Sequence, residues 1–164
     1  MTTYHHGDLR AAVLEAAGVL IEKEGLAGLS VREAARRAGV SHNAPYRHFA
    51  DREALLEGLA QEGVAQLERA LAGLSGRELG EAYVRFARAH PQRFRLMFTR
   101  RRDAMHERFA RAFSGLGAEA KVAGAAAWSL VHGLACLILD GQLAGDEDFV
   151  AKVLGAMRFA QRSA

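Results

Sequence analysis

Apolar side chains recur at steps of three and four from Leu9 almost to the C-terminus, and this period most constrains what the chain can fold into. Leu9, Val13, Ala16, Ala17, Leu20 and Ile21 mark a first amphipathic helix that ends at Gly25. Ala and Leu are abundant, β-branched residues are few and scattered, and only Pro45 and Pro91 interrupt the pattern. A chain of 164 residues is long enough to bury a core. The expected fold is therefore all-α, with about nine helices.

The second and third helices are short. Ser30 stands where an N-cap belongs, and Glu33 three residues later completes a capping box. The helix from Val31 carries Ala34, Ala35 and Ala38 and stops at Gly39, whose backbone freedom suits a tight turn. Ser41 is the expected N-cap of a very short helix reaching about Phe49, and Asp51 caps a long fourth helix with Leu55, Leu56, Leu59, Val64 and Leu67 as its stripe. Small residues allow the two short helices to approach closely, which makes a helix-turn-helix. A plain helical hairpin would satisfy the same pattern, but the charge argues against it. Residues 30–52 hold five arginines (Arg32, Arg36, Arg37, Arg47, Arg52) against Glu33 and Asp51, a net +3 that equals the whole chain's. His42, Tyr46 and His48 add donors, and such groups position a protein on nucleic acid.

Several stretches resemble the TetR (tetracycline-repressor-like) family. They are Gly25-Leu26, Leu29-Ser30-Val31-Arg32-Glu33-Ala34-Ala35, Ala38-Gly39-Val40-Ser41, Tyr46-Arg47-His48-Phe49 and Asp51-Arg52-Glu53-Ala54-Leu55-Leu56. The opening Tyr4-His5-His6-Gly7-Asp8-Leu9-Arg10 and the run Ser41 to Phe49 are similar to one subgroup, whose C-terminal domain carries Trp-x-x-x-His-Gly; Trp128, His132 and Gly133 have that spacing. The resemblance implies a DNA-binding domain over 1–52 and a helical ligand-binding and dimerisation domain over 53–164. It implies that Arg32 reaches a phosphate or a guanine edge. Ser41, His42, Asn43 and Ala44 would face the major groove, with Asn43 pairing to adenine, His42 to guanine and the Ala44 methyl to thymine. Tyr46, Arg47 and His48 would lie along the DNA, the tyrosine and the histidine on phosphates, and Arg52 would clamp the DNA backbone. Phe49 reads as core, because an apolar ring cannot satisfy a phosphate. Pro45 reads as a residue that shapes the recognition helix rather than touching DNA.

Beyond a break at Gly73 to Gly76 the helices continue. The fifth holds Leu79, Tyr83, Phe86 and Ala87, the sixth starts at Pro91, and the seventh holds Met105, Phe109 and Phe113. The basic run Arg100-Arg101-Arg102 between the last two reads as a solvated loop rather than a second DNA surface. The eighth, Ala118 to about Gly141, is apolar on all sides, and the ninth runs from Glu147 with Phe149, Val150, Val153, Leu154, Met157 and Ala160. Val122 to Leu139 approaches the length of a membrane span, but its Ala and Gly content, with Ser129 and His132 inside, gives little drive into lipid. A helix greasy on every side is otherwise buried between two protein surfaces, here the monomer core and a second copy. The family dimerises through this pair of helices, which would set two recognition helices about 34–36 Å apart.

The family also suggests a cavity for a small-molecule effector. Candidate lining residues are Phe94, Met97, Phe98, Met105, Phe109 and Trp128, with Tyr83, His90, Arg93 and His132 as polar groups. The expected protein is a repressor that leaves a near-palindromic operator when the effector binds. A ligand-independent regulator with a filled core is one alternative. A metal- or redox-responsive regulator is another, since His132 and Cys136 stand four apart on one helix face and His5-His6 offer further ligands. Two residues are half a metal site, so no metal or cofactor is expected. No Gly-rich phosphate loop, carboxylate pair with a ligating His, or nucleophile with an evident base is present, so no catalytic residue is expected. The single Cys136 and a polar opening without the apolar core of a signal peptide fit a cytoplasmic protein.

Overall fold

The computed structural model describes residues 9–100 and 105–156. The opening residues 4–8, Arg101 and Arg102 of the basic run, and Met157 and Ala160 of the last stripe lie outside the described residues. Among the described residues every regular element is helical. The α-helices are α1 (Leu9–Glu24), α2 (Val31–Arg37), α3 (Arg52–Leu71), α4 (Gly76–Ala89), α5 (Pro91–Arg100), α6 (His106–Ala112), α7 (Ala120–Leu139) and α8 (Glu147–Ala156). Short 3₁₀ helices cover Leu26–Gly28, Ala44–Arg47 and Ser114–Glu119. The expected third helix is the 3₁₀ turn Ala44–Arg47, which accounts for eight α-helices where nine helices are expected.

The chain forms two compact units. One contains residues 9–64 with 92–100, the other 65–91 with 105–156, and the cut falls inside α3. The core of the first unit joins Val13, Ala17, Leu20 and Ile21 of α1 to Val31 and Ala34 of α2, Leu55, Leu56 and Leu59 of α3, and Leu96 of α5. Phe49 closes it at 2 % exposure, as an apolar ring in this position should. A further joint fixes α5 in place. The Glu22 carboxylate accepts the backbone N–H groups of Gln92 at 3.0 Å and Arg93 at 2.9 Å, satisfying two donors of the first turn. The Arg93 side chain crosses α1 at Gly18, where a β-carbon would lie 1.9 Å from its Nη2. Burial pulls the Arg93 guanidinium pKa down, against the opposing pull of Glu22 and Glu62.

In the second unit, α7 presents Gly124, Ala127, Val131, Leu134 and Ala135 to the core. Gly124 meets α6 so closely that a β-carbon would stand 2.6 Å from the Ala110 backbone nitrogen. Gly80 of α4 is likewise covered by Leu154 of α8 and Val131 of α7. The stretch Ser114–Leu139 is long and apolar enough to cross a membrane, and 28 % of its most apolar window is buried. Its other face leaves Val122, Leu130 and Leu137 between 45 % and 67 % exposed.

Candidate nucleic-acid interface

The helix-turn-helix is built by caps and one glycine. Ser30 Oγ accepts the Glu33 N–H at 3.1 Å, and Asp51 Oδ1 accepts the Ala54 N–H at 2.8 Å, so α2 and α3 start where the cap residues stand. Gly39 turns the chain at φ 69°, and the Val40 N–H returns to the Ala35 carbonyl. The reciprocal half of the capping box takes a different form. The Glu33 carboxylate accepts from Arg36 at 2.6 and 2.8 Å and from Arg37 at 2.8 Å, because two guanidiniums one turn on offer charge-assisted bonds. Arg36 and then Arg37 hold the Glu33 pKa down to about 2, and Glu33 in turn raises both arginines. Arg37 also reaches Glu24 and thereby ties the end of α1 to α2.

The third helix differs from its expected form. Ser41 does not cap it: the segment 41–43 is a turn, the Ala44 N–H bonds to the Ser41 carbonyl, and the helix is a single 3₁₀ stretch. Pro45 sits in its first turn, where the missing N–H costs nothing, and its carbonyl accepts from both His48 and Phe49 at 2.9 Å. Pro45 is buried and shapes the turn, while the polar residues around it point outward.

The proposed contact residues divide into two groups. Arg32, Ser41, His42, Asn43, Tyr46, Arg47 and His48 are exposed, and among the described residues none makes a side-chain hydrogen bond or ion pair. Ala44 is half-buried. Arg52 is engaged internally: its Nε donates to the Leu29 carbonyl at 3.0 Å and its Nη2 to the Leu26 carbonyl at 2.6 Å. Of the five arginines that set the local charge, Arg32 and Arg47 carry guanidiniums without a partner among the described residues. Glu22 and Glu24 were not singled out by sequence, because each is one acidic residue among several on α1 and its partner lies far along the chain.

The residues expected to line a cavity fall in both units. In the first, Phe94 and Met97 are 1 % and 0 % exposed, and the Phe94 and Phe98 rings stand 4.9 Å apart. In the second, Tyr83 is fully buried, with its ring edge-on to Phe109 at 5.7 Å and Met105 also at 0 %. The Trp128 indole N–H donates to Tyr83 Oη at 3.1 Å. Tyr83 Oη lies 2.9 Å from His132 Nδ1, and His132 Nε2 lies 3.6 Å from Cys136 Sγ. Indole nitrogen only donates, so Tyr83 Oη accepts from Trp128, while the direction of the bonds to His132 follows its tautomer. Burial raises the Tyr83 pKa and lowers that of His132, which keeps both groups neutral. The His90 ring lies tilted against Phe86, with ring centroids 5.0 Å apart. Among the described residues no three His, Cys, Asp or Glu side chains gather as a metal site. The two clefts of the second unit lie elsewhere: one of about 330 Å³ is lined by residues of α4 and α8, and one of about 580 Å³ includes Arg108 and Arg111.

A capped helix pair with a glycine turn, an outward row of polar side chains and a second all-helical unit defines a helix-turn-helix DNA-binding protein. Residues 13–59 match the profile of bacterial regulatory proteins of the tetR family, and residues 77–157 match the tetracyclin repressor-like C-terminal domain. The chain belongs to the TetR family of transcriptional regulators. Among solved structures, a protein of unknown function from Rhodococcus sp. RHA1 is 34 % identical, covers 95 % of this chain and 94 % of its own, and superposes with a TM-score of 0.75. A TetR-like transcriptional regulator from Rhodococcus sp. RHA1 shares the fold at 17 % identity, 88 % and 92 % coverage and TM-score 0.60. A TetR-family regulator from Streptomyces coelicolor A3 does so at 23 %, 90 % of each chain and 0.55. No curated protein sequence matches the chain.

Proposed function

We propose that this regulator is a repressor that binds a near-palindromic operator as a homodimer in the cytoplasm and is released by a small-molecule effector. The observation that carries the DNA-binding face is the row Arg32, His42, Asn43, Tyr46, Arg47 and His48, exposed and, among the described residues, without side-chain hydrogen bonds or ion pairs. Polar groups held outward on a rigid turn lose little freedom when a ligand takes them, so they are preorganised for contact. His42 and Asn43 read base edges from the turn, with Ser41 and Ala44 beside them. Arg32, Tyr46, Arg47 and His48 take phosphates. Arg52 supports the surface from behind by holding the Leu26–Leu29 loop, and meets the DNA backbone only with donors left over.

Residues 1–52 form the DNA-binding domain in this reading, and 53–164 the effector and dimerisation domain. The exposed face of α7, with Val122, Leu130 and Leu137, is the surface a second copy covers, and Gly133 has nothing within 4 Å of where a β-carbon would stand. α3 contributes residues to both compact units, and in this reading it is the lever between effector and DNA. The effector acts only through its differential affinity for the two arrangements. A second reading, DNA binding without an effector, is favoured by the complete burial of Tyr83, Met97 and Met105.

Footprinting of the purified protein on its own promoter region, with sedimentation of the complex, tests the proposal. A dimer protecting two half-sites about one helical turn apart is expected. A monomer with no preference over random duplex overturns it.

A further inference from the structure

We propose that the cleft between α4 and the first turn of α8 binds a small amphipathic carboxylate, an organic acid of about the size of a substituted benzoate. The cleft has a volume of about 330 Å³, at the lower end of the range of small-molecule sites. Its floor is apolar but nearly closed: Val84 and Val150 are 1 % and 4 % exposed, so the accessible apolar surface is that of the half-buried Ala151 and of the stems of the lining side chains. Its rim is charged, and the charges are unevenly satisfied.

Two of its three carboxylates already have cations. Glu81 pairs with Arg77 at 3.1 Å, and Asp148 pairs with Lys152 at 2.5 Å, neither cation belonging to the lining. That leaves Glu147 against Arg85 and Arg88, a surplus of one positive charge. Neither arginine has a hydrogen-bond or ion-pair partner among the described residues. They stand three apart on α4, on one helix face, where like charges repel. Arg88 passes close to the segment before α8: a β-carbon on Gly145 would come within 3.4 Å of its Nε. A carboxylate between the two guanidiniums removes the repulsion and gains charge-assisted, bidentate bonds, while its hydrocarbon body lies against Ala151 and the aliphatic stems of the lining side chains. A neutral ligand of the same shape gains only the floor, and a free inorganic anion only the rim.

The site stands apart from the aromatic cluster around Tyr83 that sequence pointed to. Its assignment as an effector site rests on the proposed function; its binding of a carboxylate does not. Calorimetric titration of the full chain with benzoate and octanoate, against benzyl alcohol and octanol, tests it. Saturable binding of the acids at one site per chain is expected, weakened about tenfold or more in the Arg85→Gln, Arg88→Gln double variant. Arg111→Gln, a charge removed from the other cleft, should leave it unchanged, and the double lysine variant should retain part of it. Absence of saturable binding, or equal affinity across these variants, overturns the site. The same acids added to the protein–DNA complex then address its role. Release of DNA makes the cleft the effector site, and an undisturbed complex refutes that role while leaving binding intact.

Discussion

The same kinds of side chain, a tyrosine and histidines, are treated in opposite ways by the two units of this molecule. Around the turn after α2, Tyr46, His42 and His48 are exposed, and among the described residues none of their side chains has a hydrogen-bond partner. Around α4 and α7, Tyr83 and His132 bond to each other, to Trp128 and to Cys136, and burial keeps them neutral. The first arrangement keeps donors and acceptors available for something outside the chain. The second removes them from circulation, since a buried polar group left unpaired is costly. Arginine shows the same division within one small region, with Arg32 and Arg47 uncommitted while Arg36, Arg37 and Arg52 serve the fold.

This contrast can be broken by substitution. The largest effect is expected from joining His42→Ala to Asn43→Ala, which should cost roughly 1–3 kcal/mol at each matching base and flatten operator selectivity without lowering the melting temperature. Selection from randomised duplexes that returned the wild-type operator would place the base-reading turn elsewhere. Tyr83→Phe should do the reverse. It removes the hydroxyl that meets the Trp128 N–H and His132 Nδ1 and should lower unfolding free energy by roughly 1–3 kcal/mol, with the folded protein's DNA affinity unchanged. Chemical denaturation beside a gel-shift titration separates the two. Ser30→Ala should cost about 1 kcal/mol of stability through the lost cap bond to Glu33.

A subtler test compares arginines. Removing Arg47 should reduce the salt slope of DNA binding by about one, whereas removing Arg36, already bonded to Glu33, should change it far less. Equal slopes would show that internal pairing does not withhold a guanidinium from phosphate. The smallest effect concerns pH. His132 has a folded-state pKa below its ordinary 6.5, so the unfolded chain binds the proton more readily. Stability from this group is complete above pH 6.5 and declines as pH falls below it. Melting temperatures of wild type and His132→Asn should therefore converge on acidification. Glu33, lowered from 4.5 to about 2, adds a separate loss between those values, absent in Glu33→Gln.

Much of this was readable from local chemistry. Ser30 and Asp51 act as caps and Gly39 turns the chain, because each role depends on a residue's own backbone and its neighbours within four positions. The third helix was read too long and started too early. Its apolar positions are too few to distinguish one 3₁₀ turn from a short α-helix.

By itself, then, the sequence determined the all-helical class, the helix-turn-helix and the family, since periodicity, caps and contiguous motifs are properties of neighbouring residues. Only the tertiary structure decided which arginines remain available. Glu24 meets Arg37 across 13 positions, Leu29 meets Arg52 across 23, and Glu22 meets the start of α5 across about 70. The reason is physical: a charged side chain's role depends on what lies within hydrogen-bonding reach, and folding brings those partners from distant parts of the chain.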